Sequence, residues 1–275
     1  MCHFHLINFA FIVFLISSVE SWDDSLKTTG SGNSSIKKLV YGGTKTNIYN
    51  APYMALYFEV KKGFLCGATI VHRRFLLSAA HCYNPNSKYY VKVGTDRIDG
   101  GYRYKVDKII IHPNYHPVTM DNDISVIKLK SEMTFNNYIG AIRMALSDIM
   151  LKSGAIMTTM GFGGTENNIS SDKLLRVDVP YVAHHECKSL MGNILTRTMI
   201  CAGGVRGEDT CQGDSGGPLI YEDMIVGVVS FGRGCGKKTI YGVYASVPAL
   251  RGFIDQTIRY FSKYQQNIHN DYRPL

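Results

Sequence analysis

The sequence predicts an all-β protein closed by a single C-terminal helix. Three observations carry this reading. Between residues 53 and 246 the chain is a series of short segments rich in β-branched and aromatic residues. Glycine turns such as Asp99-Gly100-Gly101 and Gly163-Gly164 separate them. One helical period occurs, at the end, where Leu250, Phe253, Ile254, Thr257, Ile258 and Phe261 recur at helical spacing. Many short strands at regular spacing read as barrels or sandwiches.

Residues 4–16 form an apolar run broken only by His5 and Asn8, and short polar residues follow to Ser21. The run is too short to span a bilayer comfortably but suits the core of a signal peptide, so residues 1–21 are expected to be removed on export. No Lys or Arg precedes the run, and an uncleaved anchor and an element of the fold are the alternatives. Residues 22–38 are polar, rich in Gly and Ser, and end in Lys37-Lys38, which reads as an exposed, cleavable linker. Strand-like content begins at Leu39. Strands are expected at 53–60, 68–71, 75–78, 88–94, 104–112 and 124–130. A second set is expected at 155–162, 174–182, 218–221, 225–230 and 242–246. Beyond Lys263 the polar tail is expected to fray.

Apolar residues make up 45% of the 275 residues and charged residues 19%, a globular rather than a disordered balance. The net charge of +8 stays with the part beyond Lys38, because Glu20 offsets the excess of one cation in residues 22–38. Such a surface favours acidic partners, sulfated glycans or anionic proteins among them. The basic residues are scattered and carry no recognition motif, which argues against nucleic acid.

Seven cysteines occur, and loss of Cys2 with the signal leaves six: Cys66, Cys82, Cys187, Cys201, Cys211 and Cys235. An even number in an exported chain reads as three disulfides, whose pairing the spacing does not fix. No two of them stand at metal-ligand spacing, so no metal is expected.

Chemistry is concentrated in three segments. Asp209-Thr-Cys-Gln-Gly-Asp-Ser-Gly-Gly-Pro218 sets Ser215 among glycines. A serine hydroxyl needs a base to take its proton and donors to hold the oxyanion it creates. Leu76-Leu-Ser-Ala-Ala-His-Cys82 is an apolar strand ending at His81. Asp121-Asn-Asp-Ile-Ser-Val-Ile-Lys-Leu129 sets Asp123 just before an alternating strand. A buried carboxylate is what holds such a histidine in the working tautomer. The Gly213-Asp-Ser-Gly-Gly217 string also fits the elbow of α/β-hydrolases, but that fold needs its Asp and then its His after the Ser, and only His269 follows.

These three segments, in the order His, Asp, Ser, resemble the chymotrypsin-like serine protease family and its trypsin branch, from about Leu39 to about Phe261. The resemblance implies two packed six-stranded Greek-key β-barrels, at about 39–146 and 147–250, with the helix and tail at 247–275. It implies His81 as general base, Asp123 as its orienting carboxylate and Ser215 as nucleophile. The N–H groups of Gly213 and Ser215 would form the oxyanion hole. Disulfides Cys66–Cys82, Cys187–Cys201 and Cys211–Cys235 are implied, each worth about 2–4 kcal/mol. No cofactor is implied.

Asp209 corresponds to the carboxylate at the base of the primary pocket, where a buried anion selects Lys or Arg. Gly232 and Gly242 match the pocket-wall glycines, and Ser230-Phe231-Gly232 would pair with substrate backbone. Activation by a trypsin-like protease after Lys38 would free the Leu39 amine to pair with Asp214. The family usually begins Ile-Val-Gly-Gly, whereas this chain reads Leu39-Val-Tyr-Gly-Gly43, so Val40 is the other candidate terminus. The loop between Gly94 and His112 is short and lacks the glutamates of calcium-binding trypsins, so no calcium site is expected. Tyr241 stands where Pro is usual, and an aromatic there goes with sodium binding in some relatives. Asn168 begins an Asn-x-Ser acceptor for glycosylation. The resemblance implies a secreted monomer that meets protein or peptide substrates and protein inhibitors, without membrane or nucleic acid. Chymotrypsin- or elastase-like specificity and a non-catalytic binding homologue are the alternatives.

Overall fold

The computed structural model describes residues 43–163, 171–204, 214–232 and 241–271, with side chains through Lys263. Six strands close the first barrel: β2 (Met54–Glu59), β3 (Gly63–His72), β4 (Phe75–Ser78), β5 (Tyr89–Val93), β6 (Tyr102–Ile111) and β7 (Ser125–Leu129). Their order is β2-β3-β4-β7-β6-β5, every neighbour antiparallel, and β5 returns to β2. Strands β9 (Ile156–Gly161), β10 (Leu175–Val182), β11 (Met199–Gly203), β12 (Pro218–Tyr221), β13 (Met224–Gly232) and β14 (Tyr241–Ser246) repeat that connectivity, with β12 and β10 both pairing β9 to close a second barrel. Each is a Greek key, the fourth strand lying beside the first. Two-residue strands β1 (Thr44–Lys45) and β8 (Arg143–Met144) attach to β10 and β13.

Closure needs bent strands, and β-bulges supply the bends, at Tyr57/Phe58, Ile70/His72, Val106/Lys108, Leu219/Ile220 and Val229/Phe231. The second barrel is filled by residues such as Met157, Val177, Val179, Leu219, Val226 and Tyr244. The larger core starts inside the first barrel, with Leu56, Ile70, Leu77, Val91 and Ile127. It continues through Val228 and Ala245 to Leu250 and Ile254. Strands β4 and β7 are therefore buried on both faces, β4 reading as an apolar run and β7 carrying Ser125 and Lys128 among its apolar residues.

Helix α2 (Val247–Asp271) starts where Ser246 Oγ accepts from Ala249 N (3.3 Å) and where Pro248 needs no donor. Its apolar face packs Leu250 and Ile254 into the core, and Arg251 Nη1 donates to the carbonyls of Met144 and Ala145. The helix runs through Asp271, past Lys263, where the polar composition predicts fraying. The packed first half supplies the costly nucleus, and no Gly or Pro stands between Lys263 and Asp271 to stop propagation. Helix α1 (His184–Met191) and strand β11 are not among the elements expected from sequence. Only Cys187 and Met191 are buried in α1, too few for a readable period. No helix among the described residues is long and apolar enough to cross a membrane.

Candidate active site

His81 sits in a one-turn 3-10 helix, Ala80–Cys82, at the end of buried strand β4. The Cys66–Cys82 disulfide (S–S 2.00 Å) fastens that turn to β3. Asp123 precedes β7 and its side chain is fully buried. Its Oδ1 accepts from His81 N at 2.9 Å and its Oδ2 meets His81 Nδ1 at 2.7 Å. Two bonds from one carboxylate fix both the position and the rotation of the ring. With the Nδ1 proton directed to Asp123, the lone pair is left on Nε2. A further donor reaches the same carboxylate: Ser230 Oγ of β13 bonds Asp123 Oδ2. Ser230 lies at the Val229/Phe231 bulge, which turns its hydroxyl towards the first barrel.

The loop bearing Asp123 is held in an unusual path, with Met120 and Asn122 at positive φ (59° and 55°). Asp121 anchors it across the two barrels, accepting from Thr196 Oγ1 at 2.7 Å and from the Thr198 hydroxyl. Burial alone would raise the Asp121 carboxyl. The hydroxyls of Thr198 and Thr196, the Asn122 N–H and nearby His112 together outweigh burial and hold its pKa below the ordinary aspartate value.

Ser215 lies on a turn whose backbone is bonded to both barrels. Its carbonyl accepts from Gly67 N of β3 (2.8 Å), and the next residue, Gly216, donates to Val229 O of β13 (2.8 Å). Gly216 needs its positive φ of 80°, and a Cβ there would fall 2.3 Å from Ser78 Oγ and 2.4 Å from Gly67 O. A Cβ at Gly67 would in turn lie 3.0 Å from the Gly217 backbone. Ser78 is three residues before His81, so main-chain contact brings the serine turn to the histidine turn. Asp214 is buried in a niche that only glycines permit. Gly163 N donates to its Oδ1 at 2.8 Å, and a Cβ at Gly161 or Gly163 would collide with its carboxylate.

Gly232 pairs with Gly242 across β13 and β14. β12 pairs β13 only over Met224–Val228, so residues 230–232 have no strand on that side among the described residues. The Cys187–Cys201 disulfide links α1 to β11. Lys38, Leu39, Asn168, Asp209, Cys211, Gly213 and Cys235 lie outside the described residues, as do the expected signal and linker segments. Cys66, His81 and Cys82 cluster closely enough to suggest a metal site, but both sulfurs are committed to a disulfide and offer no thiolate. Sequence reasoning did not anticipate the Ser230 hydroxyl on Asp123 or the Asp121 anchor. The only trace of the first is a serine in an otherwise apolar strand.

Two six-stranded Greek-key barrels with this seam between them constitute the chymotrypsin-like fold of serine proteases. Within it, the chain belongs to the trypsin family: the family model described as Trypsin matches residues 40–254. It is a trypsin-like serine endopeptidase, a hydrolase of peptide bonds. The chain is 31% identical to Trypsin 5G1 of Aedes aegypti over 241 residues, 86% of this chain and 88% of that protein. It is 36% identical to Trypsin-10 of Gadus morhua over 199 residues, 70% of this chain and 81% of that protein. The solved structure of neuropsin, a serine protease expressed in the limbic system of mouse brain, superposes with a TM-score of 0.73 at 28% identity. It covers 78% of this chain and 98% of neuropsin.

Proposed function

We propose that the chain is a secreted endopeptidase that cuts after Lys or Arg and is made as an inactive precursor. The observation that carries the catalytic part is the bonding of one buried carboxylate, Asp123, to His81 and Ser230 beside the Ser215 turn. In this reading His81 Nε2 takes the Ser215 Oγ proton as oxygen attacks the scissile carbonyl. Asp123 steadies the imidazolium. The N–H groups of Ser215 and Gly213 hold the oxyanion. The imidazolium then protonates the leaving amine, and water, activated by the same base, releases the acyl group.

Asp209 supplies the anion for a Lys or Arg side chain, with Gly232 and Gly242 leaving room and residues 230–232 offering an edge to substrate backbone. Residues 1–21 direct export, and residues 22–38 are released by a trypsin-like activator cutting after Lys38. The freed Leu39 amine pairs with Asp214, which lies buried among glycines beside the Ser215 turn. Asn168 is glycosylated, the protein acts as a monomer, and protein protease inhibitors are its natural antagonists.

Amidase kinetics on matched peptides ending in Arg, Lys, Phe or Ala test this, before and after limited trypsin treatment, with Ser215→Ala as control. The expected result is activity on Arg and Lys alone, only after cleavage at Lys38, and none in the variant. Activity on Phe or Ala instead would reject the role of Asp209. Full activity without cleavage would reject the precursor.

A further inference from the structure

A groove of about 760 Å³ crosses the outside of the first barrel, over β5, β6 and the residue after β7. Five exposed cations line it: Lys88, Arg103, Lys105, Lys108 and Lys130. The strands gather them. Side chains alternate along β6, so Arg103 and Lys105 face outward, roughly 7 Å apart, while Tyr104 and Val106 are half-buried. The bulge between Val106 and Lys108 breaks the alternation and leaves Asp107 and Lys108 both exposed. Lys105 stands opposite Tyr90 on β5, and Lys130 N donates to Lys105 O at 3.0 Å, so the row continues across the sheet.

This charge is not neutralised from within. Asp107 is the one carboxylate lining the groove among the described residues, and it is bound to Lys128, whose side chain is 7% exposed. None of the five cations forms an ion pair among the described residues. Like charges so placed repel one another, and a partner of opposite sign relieves them.

We infer that this groove docks a linear sulfated polysaccharide. Two features favour it over an acidic peptide. Strand β6 is hydrogen-bonded to β5 on one side and β7 on the other, so the groove floor offers no free edge to a peptide backbone. It offers side chains instead: cations at strand spacing and the rings of Tyr83 and Tyr89, which suit the apolar faces of sugars. The Arg103 guanidinium stacks 3.7 Å from the Tyr90 ring centroid, which fixes the plane from which it binds sulfate oxygens. None of the residues assigned to bond cleavage takes part.

The test is titration calorimetry of the full chain with a heparin-derived octasaccharide, at low and moderate salt. Arg103→Glu/Lys105→Glu/Lys130→Glu is compared with Lys45→Glu/Lys152→Glu/Lys188→Glu, an equal change in charge on exposed lysines elsewhere. The groove variant should lose at least about tenfold in affinity and the control under about threefold, with wild-type binding weakening as salt rises. Circular dichroism, and hydrolysis of a small peptide substrate after limited trypsin treatment, should be unchanged in both, which separates this inference from the proteolytic reading. Equal losses in the two variants would reduce the groove to general surface charge and overturn the proposal. So would a polyglutamate peptide that binds as tightly as the octasaccharide, which would point to a protein partner.

Discussion

Ser230 donates its hydroxyl to Asp123 Oδ2, the same oxygen that meets His81 Nδ1. One barrel thus supplies the carboxylate and the other a donor that helps to hold it. Ser230→Ala removes a hydrogen bond to a buried charged group. It should lower kcat/KM by roughly tenfold, mainly through kcat. Steady-state kinetics on a Lys or Arg peptide amide check this, and an unchanged kcat would mean that the bonds to His81 suffice.

Asp123→Asn should be far more severe. The amide can present its N–H₂ to Nδ1, which favours the wrong imidazole tautomer, and kcat should fall on the order of 10⁴-fold with folding retained. Circular dichroism beside the kinetics separates this outcome from collapse of the site.

Gly216→Ala combines a φ of 80° with a methyl group 2.3 Å from Ser78 Oγ. Strain and clash should cost about 2 kcal/mol or more of stability. Displacing the serine turn by even 1 Å should cost about a hundredfold in rate. Thermal unfolding and kinetics should fail together, and a variant with native melting and native kcat would contradict the close contact of the two turns.

Asp121 gives a pH-dependent signature. Its carboxyl titrates below the ordinary aspartate value in the folded protein. The stability it contributes is therefore complete above the unfolded aspartate pKa, about 3.8–3.9, and is lost as pH falls through the lower folded value. The melting difference between wild type and Asp121→Asn should be larger at pH 6 than at pH 2.5. A constant difference would show that charge on Asp121 is not what the threonines hold.

The Cys66–Cys82 disulfide spans 16 residues of sequence and adjoins His81. Replacing both cysteines with Ala should remove about 3 kcal/mol of stability. It should also depress kcat more than it raises KM, because the histidine turn loses its tie to β3. A purely thermal effect would limit the bridge to stability.

The sequence was most legible where the physics is local. The run 75–78 is apolar, β-branched or aromatic at most positions and bounded by turns, and β4 occupies that range; 218–221 is likewise β12. Strand β3 begins at Gly63, well before the expected 68, because its first residues are only half-buried and show no clear alternation. Strand β11 is five residues between a turn and glycines, and its partners β10 and β14 come from distant sequence. The motifs flagged His81, Asp123 and Ser215 by their composition. Nothing local encodes the bulge that aims Ser230, or the reach of Thr196 and Thr198 to Asp121, because both depend on where the other barrel lies.

Gly67 and Gly217 approach with no side chain between them, so peptide units alone set their spacing. At that one contact the side chains on either side play no part, whereas elsewhere the seam relies on Ser230, Thr196 and Thr198. Hybrid enzymes that join the first half of this chain to the second half of a distant relative should need both glycines, together with partners for Asp121 and Asp123 across the seam, to dock in the correct alignment. At that point the gauge between the halves is a pair of residues that carry no side chain.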